Sequence, residues 1–437
     1  MDGGLIVSEA SVLKARCKEE KIDFILASFS DLFGIVRSKL IPVSAIDTLI
    51  ENGAAFAGFA AHFNLTPADP DIVVHPDVST FTPLPWRPGV AWITGDLYTD
   101  GHLFDQSPRN QLRLKVEDEK RHDRNLKTGV EAEFFLLNKD DLNTADAYDA
   151  YHKPCYDQTA LMRSYHIISE ICKSLDILGW SPYQNDHEDA NGQFEINWKY
   201  SDALTTADRH TFFKFAVKSI AEKHGVRASF MPKIFNDLTG NGCHIHCSVW
   251  NNDGKNIFLT QDAESVNSSV IGHFTGGLLK FGGAISALTN PTINSYKRLG
   301  AITTSSGSTW VSQRLSWSGD DRTHAVRIPD KGRIEYRIPD GSANPYLLQL
   351  GVMSAGMIGI TECIEPGKSK TAYSSDGSLV EYPQCVENAL TTLEGSHLIR
   401  EYIGNELATG LIKLRRQQLH SYNSTVSSWE HMFTLDC

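Results

Sequence analysis

Val130-Glu131-Ala132-Glu133-Phe134-Phe135-Leu136-Leu137 reads as a strand with two acids on one face. Successive strand side chains point to opposite sides, so Glu131 and Glu133 share a side. Two like charges so placed are costly unless a cation lies between them or that side faces water. Taken alone, the segment fits a solvated edge strand as well as a cation site, and three other segments bear on the choice.

In residues 186–195, Asn191-Gly192 signals a tight turn that sets Glu188 and Glu195 on either side of a hairpin. In residues 240–248, alternation puts His244, His246 and Ser248 on one face and Cys243, Ile245 and Cys247 on the other. A Cys/His zinc site is the alternative there. It is disfavoured because thiolates and imidazoles would leave one strand in opposite directions, with no second cysteine pair to close the site. Residues 331–338 alternate again, with Arg333, Glu335 and Arg337 opposite Ile334, Tyr336 and Ile338. Arg298, Arg322 and Arg327 lie nearby in sequence. Hard divalent cations such as Mg²⁺ or Mn²⁺ take carboxylate oxygen and an occasional imidazole, whereas a polyphosphate takes guanidinium. Phosphoryl transfer needs both, and the chain has no P-loop sequence to supply them otherwise.

Around these strands, apolar helical patterns are expected at about 161–178, 203–224, 265–289 and 344–363. The stretch Tyr346 to Ile364 reads as a buried core helix and not a membrane span, because it holds Gln349 and Glu362 and follows Asn344-Pro345. Earlier, residues 8–20 read as a helix, 22–30 as a strand, and Asp31–Gly34 as a turn into a second strand ending near Leu40. Ser107-Pro108 looks like a helix start and marks a domain boundary, giving domains 1–107 and 108–437. A chain of 437 residues with a formal charge of −12 is expected to form two domains and to repel a phosphate backbone, so nucleic acid is an unexpected partner. The first ten residues carry neither a basic leader nor an apolar stretch of signal length, and the eight cysteines are scattered. A reducing, cytoplasmic protein with free thiols is therefore expected.

Residues 28–37 (SFSDLFGIVR), 71–78 (DIVVHPDV), 131–135 (EAEFF), 192–195 (GQFE), 294–298 (NSYKR) and 334–346 (IEYRIPDGSANPY) resemble the glutamine synthetase family, in the family's order and over nearly the whole chain. Residues 153–157 (KPCYD), 186–197 (DHEDANGQFEIN) and 426–430 (VSSWE) resemble its γ-glutamylmethylamide synthetase branch more narrowly. The resemblance implies an α+β fold, with a small N-terminal β-grasp domain and a large catalytic domain built on a curved, mostly antiparallel sheet backed by helices. It also implies a homo-oligomer, a dodecamer of stacked rings with active sites between subunits, using ATP and two or more Mg²⁺ or Mn²⁺ ions. Carried over by position, Glu133, Glu188 and Glu195 would hold one metal, and Glu131, His244 and Glu335 the other. Arg298 and Arg337 would bind glutamate, with Gly240, Asn241 and Gly242 beside it. Arg322 and Arg327 would meet the phosphates, with Lys331 and Arg333 as further contacts. Tyr200, Ser248 and His246 would lie around the nucleotide. The implied reaction phosphorylates the γ-carboxylate of glutamate and passes the acyl group to an amine, with Arg322, Arg298 and Glu335 closest to the chemistry.

The sequence departs from the family where ammonium would bind. Ala57 stands at the position of an aspartate, and the segment from Leu299 to Trp310, which matches a mobile flap, has no acid, with Thr304 near the expected glutamate. One carboxylate about 4 Å from a cation is worth on the order of 4 kcal/mol at an effective dielectric near 20, so two losses remove most ammonium affinity. Ala57, Phe59 and Ala60 could instead shelter an alkyl group. A short alkylamine is the expected nucleophile. The alternatives are ammonia, with Glu51 or His62 moving in, a polyamine or ethanolamine, and a non-catalytic ring scaffold.

Overall fold

The structure is a computed structural model that describes residues 8–259, 266–301, 303–307, 311–312, 314–370 and 380–437. The first sheet uses short strands whose inward positions are apolar. Strand Phe24–Ser30 buries Ile25, Ala27 and Phe29, pairs antiparallel with Val36–Pro42, and runs parallel to Val90–Thr99. Ile72–Pro76 and Ala54–Phe56 extend the sheet on the other side of Val90–Thr99. The turn between the first two strands is closed by Asp31, whose carboxylate accepts from the Phe33 and Ile35 amides at 3.0 Å each. Ahead of the sheet, Ser8 caps the helix Glu9–Glu19.

Helix Pro108–Arg121 starts as the Ser107-Pro108 pair predicts, with the Ser107 side chain accepting from the Asn110 amide. Beyond it lie a six-stranded and a four-stranded sheet, backed by the helices Ala203–Lys223, Val270–Thr289 and Pro345–Thr361. The fold class is mixed α+β, as the resemblance implied. The last two helices cross closely because glycines line the contact. A β-carbon on Gly277 would sit 2.0 Å from the Ala355 carbonyl oxygen, and one on Gly359 would sit 2.3 Å from that of His273. Every residue from Pro345 to Gly359 is buried, which bears out the core-helix reading, and no described helix is long and apolar enough to cross a membrane.

Several expectations are corrected in detail. The strand expected at 130–137 is two strands, Asn125–Ala132 in the six-stranded sheet and Phe134–Asn138 in the four-stranded one. Glu133 is the residue at the step, where its amide donates to the Gly242 carbonyl at 3.3 Å. The helix expected at 161–178 breaks at Ser164 into Gln158–Arg163 and Tyr165–Ile177. The helix expected from 265 begins at Val270, where Ser269 caps it, and residues 260–265 lie outside the described residues.

The first sheet is fastened to the rest by Arg109. Its guanidinium meets Asp77 at 2.8 Å and Asp96 at 2.9 Å on the first sheet, and Asp208 at 3.0 Å on helix Ala203–Lys223. Tyr346 adds a hydroxyl to Asp208 at 2.7 Å. All but 4% of the Arg109 side chain is buried, so this charge needs its partners.

Candidate active site

The six-stranded and four-stranded sheets meet around a cavity of about 340 Å³ that gathers the charged strand faces. Strand Cys243–Trp250 lies between Asn125–Ala132 and Arg333–Tyr336, with His244 opposite Glu131 and His246 opposite Glu335. Cys243, Ile245 and Cys247 go into the core, as the alternation predicts. The hairpin of Pro182–His187 and Gln193–Trp198 turns at Gly192, where φ is +75°, and pairs Asp186 with Glu195. Glu131, Glu133, Glu188, Glu195, His244 and Glu335 all line this one cavity. Arg298, Arg322, Arg327, Arg333, Arg337, His246 and Gly240 line it as well.

The tightest groupings differ from those carried over by resemblance. Asp186, Glu188 and Glu195 offer ligand atoms within 4.8 Å of one another, and so do Glu131, His246 and Glu335. His244 stands beside the second trio, its Nδ1 3.2 Å from Glu131 and 3.6 Å from Glu335. Glu133 is held by Gln193 Nε2 at 2.9 Å and by the Gly242 amide at 2.7 Å. Oxygen donors dominate both trios and no thiol joins them, which suits a hard divalent cation.

Charge balance differs sharply between the trios. Burial raises the Glu131 pKa, but hydrogen bonds from His244 and His246 hold it well below the usual carboxylate range. Burial works against Glu335 too, and His244 and Arg337 outweigh it. Glu335 is also bound by Arg327 at 2.7 Å and closely by Arg337. Across the cavity, burial and the charges of Glu133 and Asp186 push Glu188 up to about 8. Glu195 is pushed well above its ordinary value by burial and by the charges of Glu131 and Glu188. These acids are short of positive charge, a deficit that a bound cation would fill.

Arg298 is buried to 3% exposure, donates to the Ile338 carbonyl at 3.0 Å, and leaves its Nε without a partner. Burial lowers its pKa, with the Asp340 and Glu133 charges opposing. Gly242 makes room here, since a β-carbon would fall 2.8 Å from both Arg298 Nη2 and Glu133 Oε1. Asn241 turns away from the cavity. Its amide nitrogen donates to the Ser229 and Met231 carbonyls at 3.1 and 3.0 Å, and its oxygen accepts from Gln193 at 3.0 Å.

A second cavity of about 450 Å³ adjoins the first and shares Glu131, Tyr183, Asn197, His246 and Arg333 with it. Tyr200, Ser248, Trp198 and Trp250 line this more apolar chamber. Lys331 is exposed and lines neither cavity. Ala57 and Ala60 are exposed, Phe59 is 48% exposed, and none of the three lines either cavity. Glu51 and His62 are absent from both walls, and His62 is bound to Asp31 at 2.9 Å. Of the flap-like segment, residues 302 and 308–310 lie outside the described residues.

The sequence reading missed Asp186, Asp189 and Gln193. Asp186 was within reach, because strand alternation places it with Glu188. Gln193, which ties Glu133 to Asn241, and Asp189, beneath the flap-like segment, carry no signal in spacing alone.

The catalytic-domain family model of glutamine synthetase matches residues 105–434. The chain belongs to the glutamine synthetase family. It is therefore an ATP-dependent ligase that forms a C–N bond. The glutamine synthetase of Rhizobium meliloti (strain 1021) is 46% identical, over 97% of this chain and 99% of that protein. The glutamate–methylamine ligase of Methyloversatilis universalis is 37% identical, over 94% of this chain and 96% of that protein. A solved GmaS/ADP complex superposes with a TM-score of 0.92 at 45% identity, covering 97% of this chain and 99% of that one. Members of the glutamine synthetase family use ATP and divalent metals, and both trios offer suitable donors.

Proposed function

We propose that this ligase joins the γ-carboxyl of glutamate to a short alkylamine, such as methylamine or ethylamine, through γ-glutamyl phosphate. The observation that carries the reading is the convergence of eight candidate acid and imidazole ligands with five arginines on one cavity. Asp186, Glu188 and Glu195, with Glu133, would hold one ion, and Glu131, Glu335, His244 and His246 a second. Divalent ions bound there would neutralise the phosphates of ATP and polarise the transferred group. Arg298, at the Gly240–Gly242 backbone, has a free Nε to help hold the glutamate carboxylate. Arg322, Arg327 and Arg333 face the phosphates, and Arg337 and Glu335 hold each other beside the reacting carboxylate. Tyr200 and Ser248 flank the chamber for the adenine.

Support for an alkylamine comes from Ala57, from the flap-like segment without acids, and from the likeness to a glutamate–methylamine ligase. Ammonia is the second reading, favoured by the 46% identity to a glutamine synthetase. Supplying glutamate, ATP and Mg²⁺ or Mn²⁺ with ammonium, methylamine, ethylamine, ethanolamine or putrescine in turn, and measuring phosphate release, decides between them. A clear preference for ammonium in kcat/KM overturns the alkylamine reading. The same proposal includes a boundary near residue 107 and a ring assembly in which the exposed Ala57 to Ala60 surface of one copy completes the site of the next. Light scattering that finds a monomer under assay conditions would remove that part.

A further inference from the structure

Asp189 lies in the cavity wall, one residue after Glu188, and is 7% exposed. It belongs to neither metal-ligand trio. Its Oδ2 accepts from Thr239 Oγ1 at 2.6 Å and, more closely still, from Ser306 Oγ. Ser306 is part of the flap-like segment, and Thr239 directly precedes Gly240. Because Ser306 spends its hydroxyl proton on Asp189, its 3.1 Å contact with Thr304 Oγ1 requires Thr304 to be the donor. The Ser305 amide donates to the Asp237 carbonyl at 2.7 Å. Two adjacent residues of the segment are thus tied down on two sides, Ser305 to the loop before Gly240 and Ser306 to Asp189 of the hairpin, which Thr239 in turn joins to that loop. Thr304, which occupies the place of an acid in the resemblance, reaches a carboxylate after all, through Ser306.

We infer that Asp189 is a positioning residue that, by way of Ser306, latches residues 303–307 of the flap-like segment at the cavity wall and so helps keep water from the reacting carbonyl. The inference rests on the ligase reading above. In that reaction the amine nitrogen attacks the acyl carbon of γ-glutamyl phosphate, the C–O bond to phosphate breaks with its electron pair leaving on phosphate, and the nitrogen gives up a proton. Water can make the same attack, returning glutamate and phosphate and wasting the ATP. Two hydroxyls donating to one buried carboxylate oxygen hold the segment in place where solvent does not contest the bonds.

The test compares phosphate released with amide formed, using glutamate, ATP, Mg²⁺ and the best amine, in the full-length protein. The wild type is expected to give a ratio near one. Ser306→Ala should raise the ratio about threefold or more, with the KM for ATP unchanged, because the cover opens while the nucleotide site stays whole. Ser306→Thr, which keeps the hydroxyl, should restore the ratio. Asp189→Ala should leak like Ser306→Ala. An unchanged ratio in a folded Ser306→Ala protein, or equal losses of both products, overturns the latch and leaves the ligase reading standing. Wild-type protein that releases no phosphate with any amine overturns both.

Discussion

The two acid trios face each other across one cavity and solve the same electrostatic problem differently. The side built from Glu131 and Glu335 brings its own partners, the Arg327 and Arg337 guanidiniums and the His244 and His246 rings, in contact with the carboxylates. The side built from Asp186, Glu188 and Glu195 has none so close among the described residues, and burial with neighbouring like charges raises the pKa of Glu188 and of Glu195. The first side is thus formed before any cation arrives, whereas the second is strained until one does. In the proposed function, preorganisation and affinity for metal are divided between the two faces.

The largest expected effect comes from removing Glu335. Glu335→Ala leaves Arg337 without its carboxylate partner and Arg327 with Asp320 alone, and breaking a buried pair typically costs about 3 kcal/mol or more of stability. Activity should fall by about a thousandfold, since a proposed metal ligand and the arginine anchor go together. Glu195→Gln should behave in the opposite sense when no metal is present. Its thermal unfolding midpoint should rise because like-charge repulsion is relieved, while metal affinity drops by about a hundredfold. If both substitutions lower the metal-free midpoint equally, the contrast between the two faces is wrong. Gly242→Ala should raise the KM for glutamate by about tenfold with a smaller change in kcat, because its β-carbon crowds Arg298 and Glu133.

The smallest effect is on pH dependence, and its sign follows from Glu188. Its folded pKa, about 8, lies above the ordinary 4.5, so the metal-free fold binds the proton more tightly than the unfolded chain does. Stability without metal should therefore decline as pH rises from about 4.5 through 8. Metal must displace the same proton, so apparent affinity should climb a few-fold between about pH 7 and 8 and then level off. Calorimetric titration with Mg²⁺ across that range, recording protons released, provides the measurement.

Much of this site was legible because strand alternation is a strong constraint. The faces of residues 243–248 and 333–338 follow from period two alone, and so does the buried ladder of Ile334, Tyr336 and Ile338. The step at Glu133 was not legible, since a change of sheet leaves every residue extended and depends on Gly242, over a hundred positions away. The trio memberships were equally hidden. Alternation fixes the face a side chain occupies but not its rotamer, and that choice brings His246 to Glu131 while Gln193 and the Gly242 amide hold Glu133. Lys331 shows the reverse failure. Its sequence neighbours Arg333 and Glu335 are in the cavity wall, but it sits before the strand begins and points elsewhere.

Arg109 has a practical corollary for anyone who wishes to divide this molecule. Its three aspartate partners come from both sides of the proposed boundary near residue 107, two before it and one after. A fragment starting at Pro108 would expose this cation, and one ending there would strand Asp77 and Asp96 without it. Neither piece should be expected to express as a stable, free-standing protein, and co-production of the two is the workable route to a split enzyme.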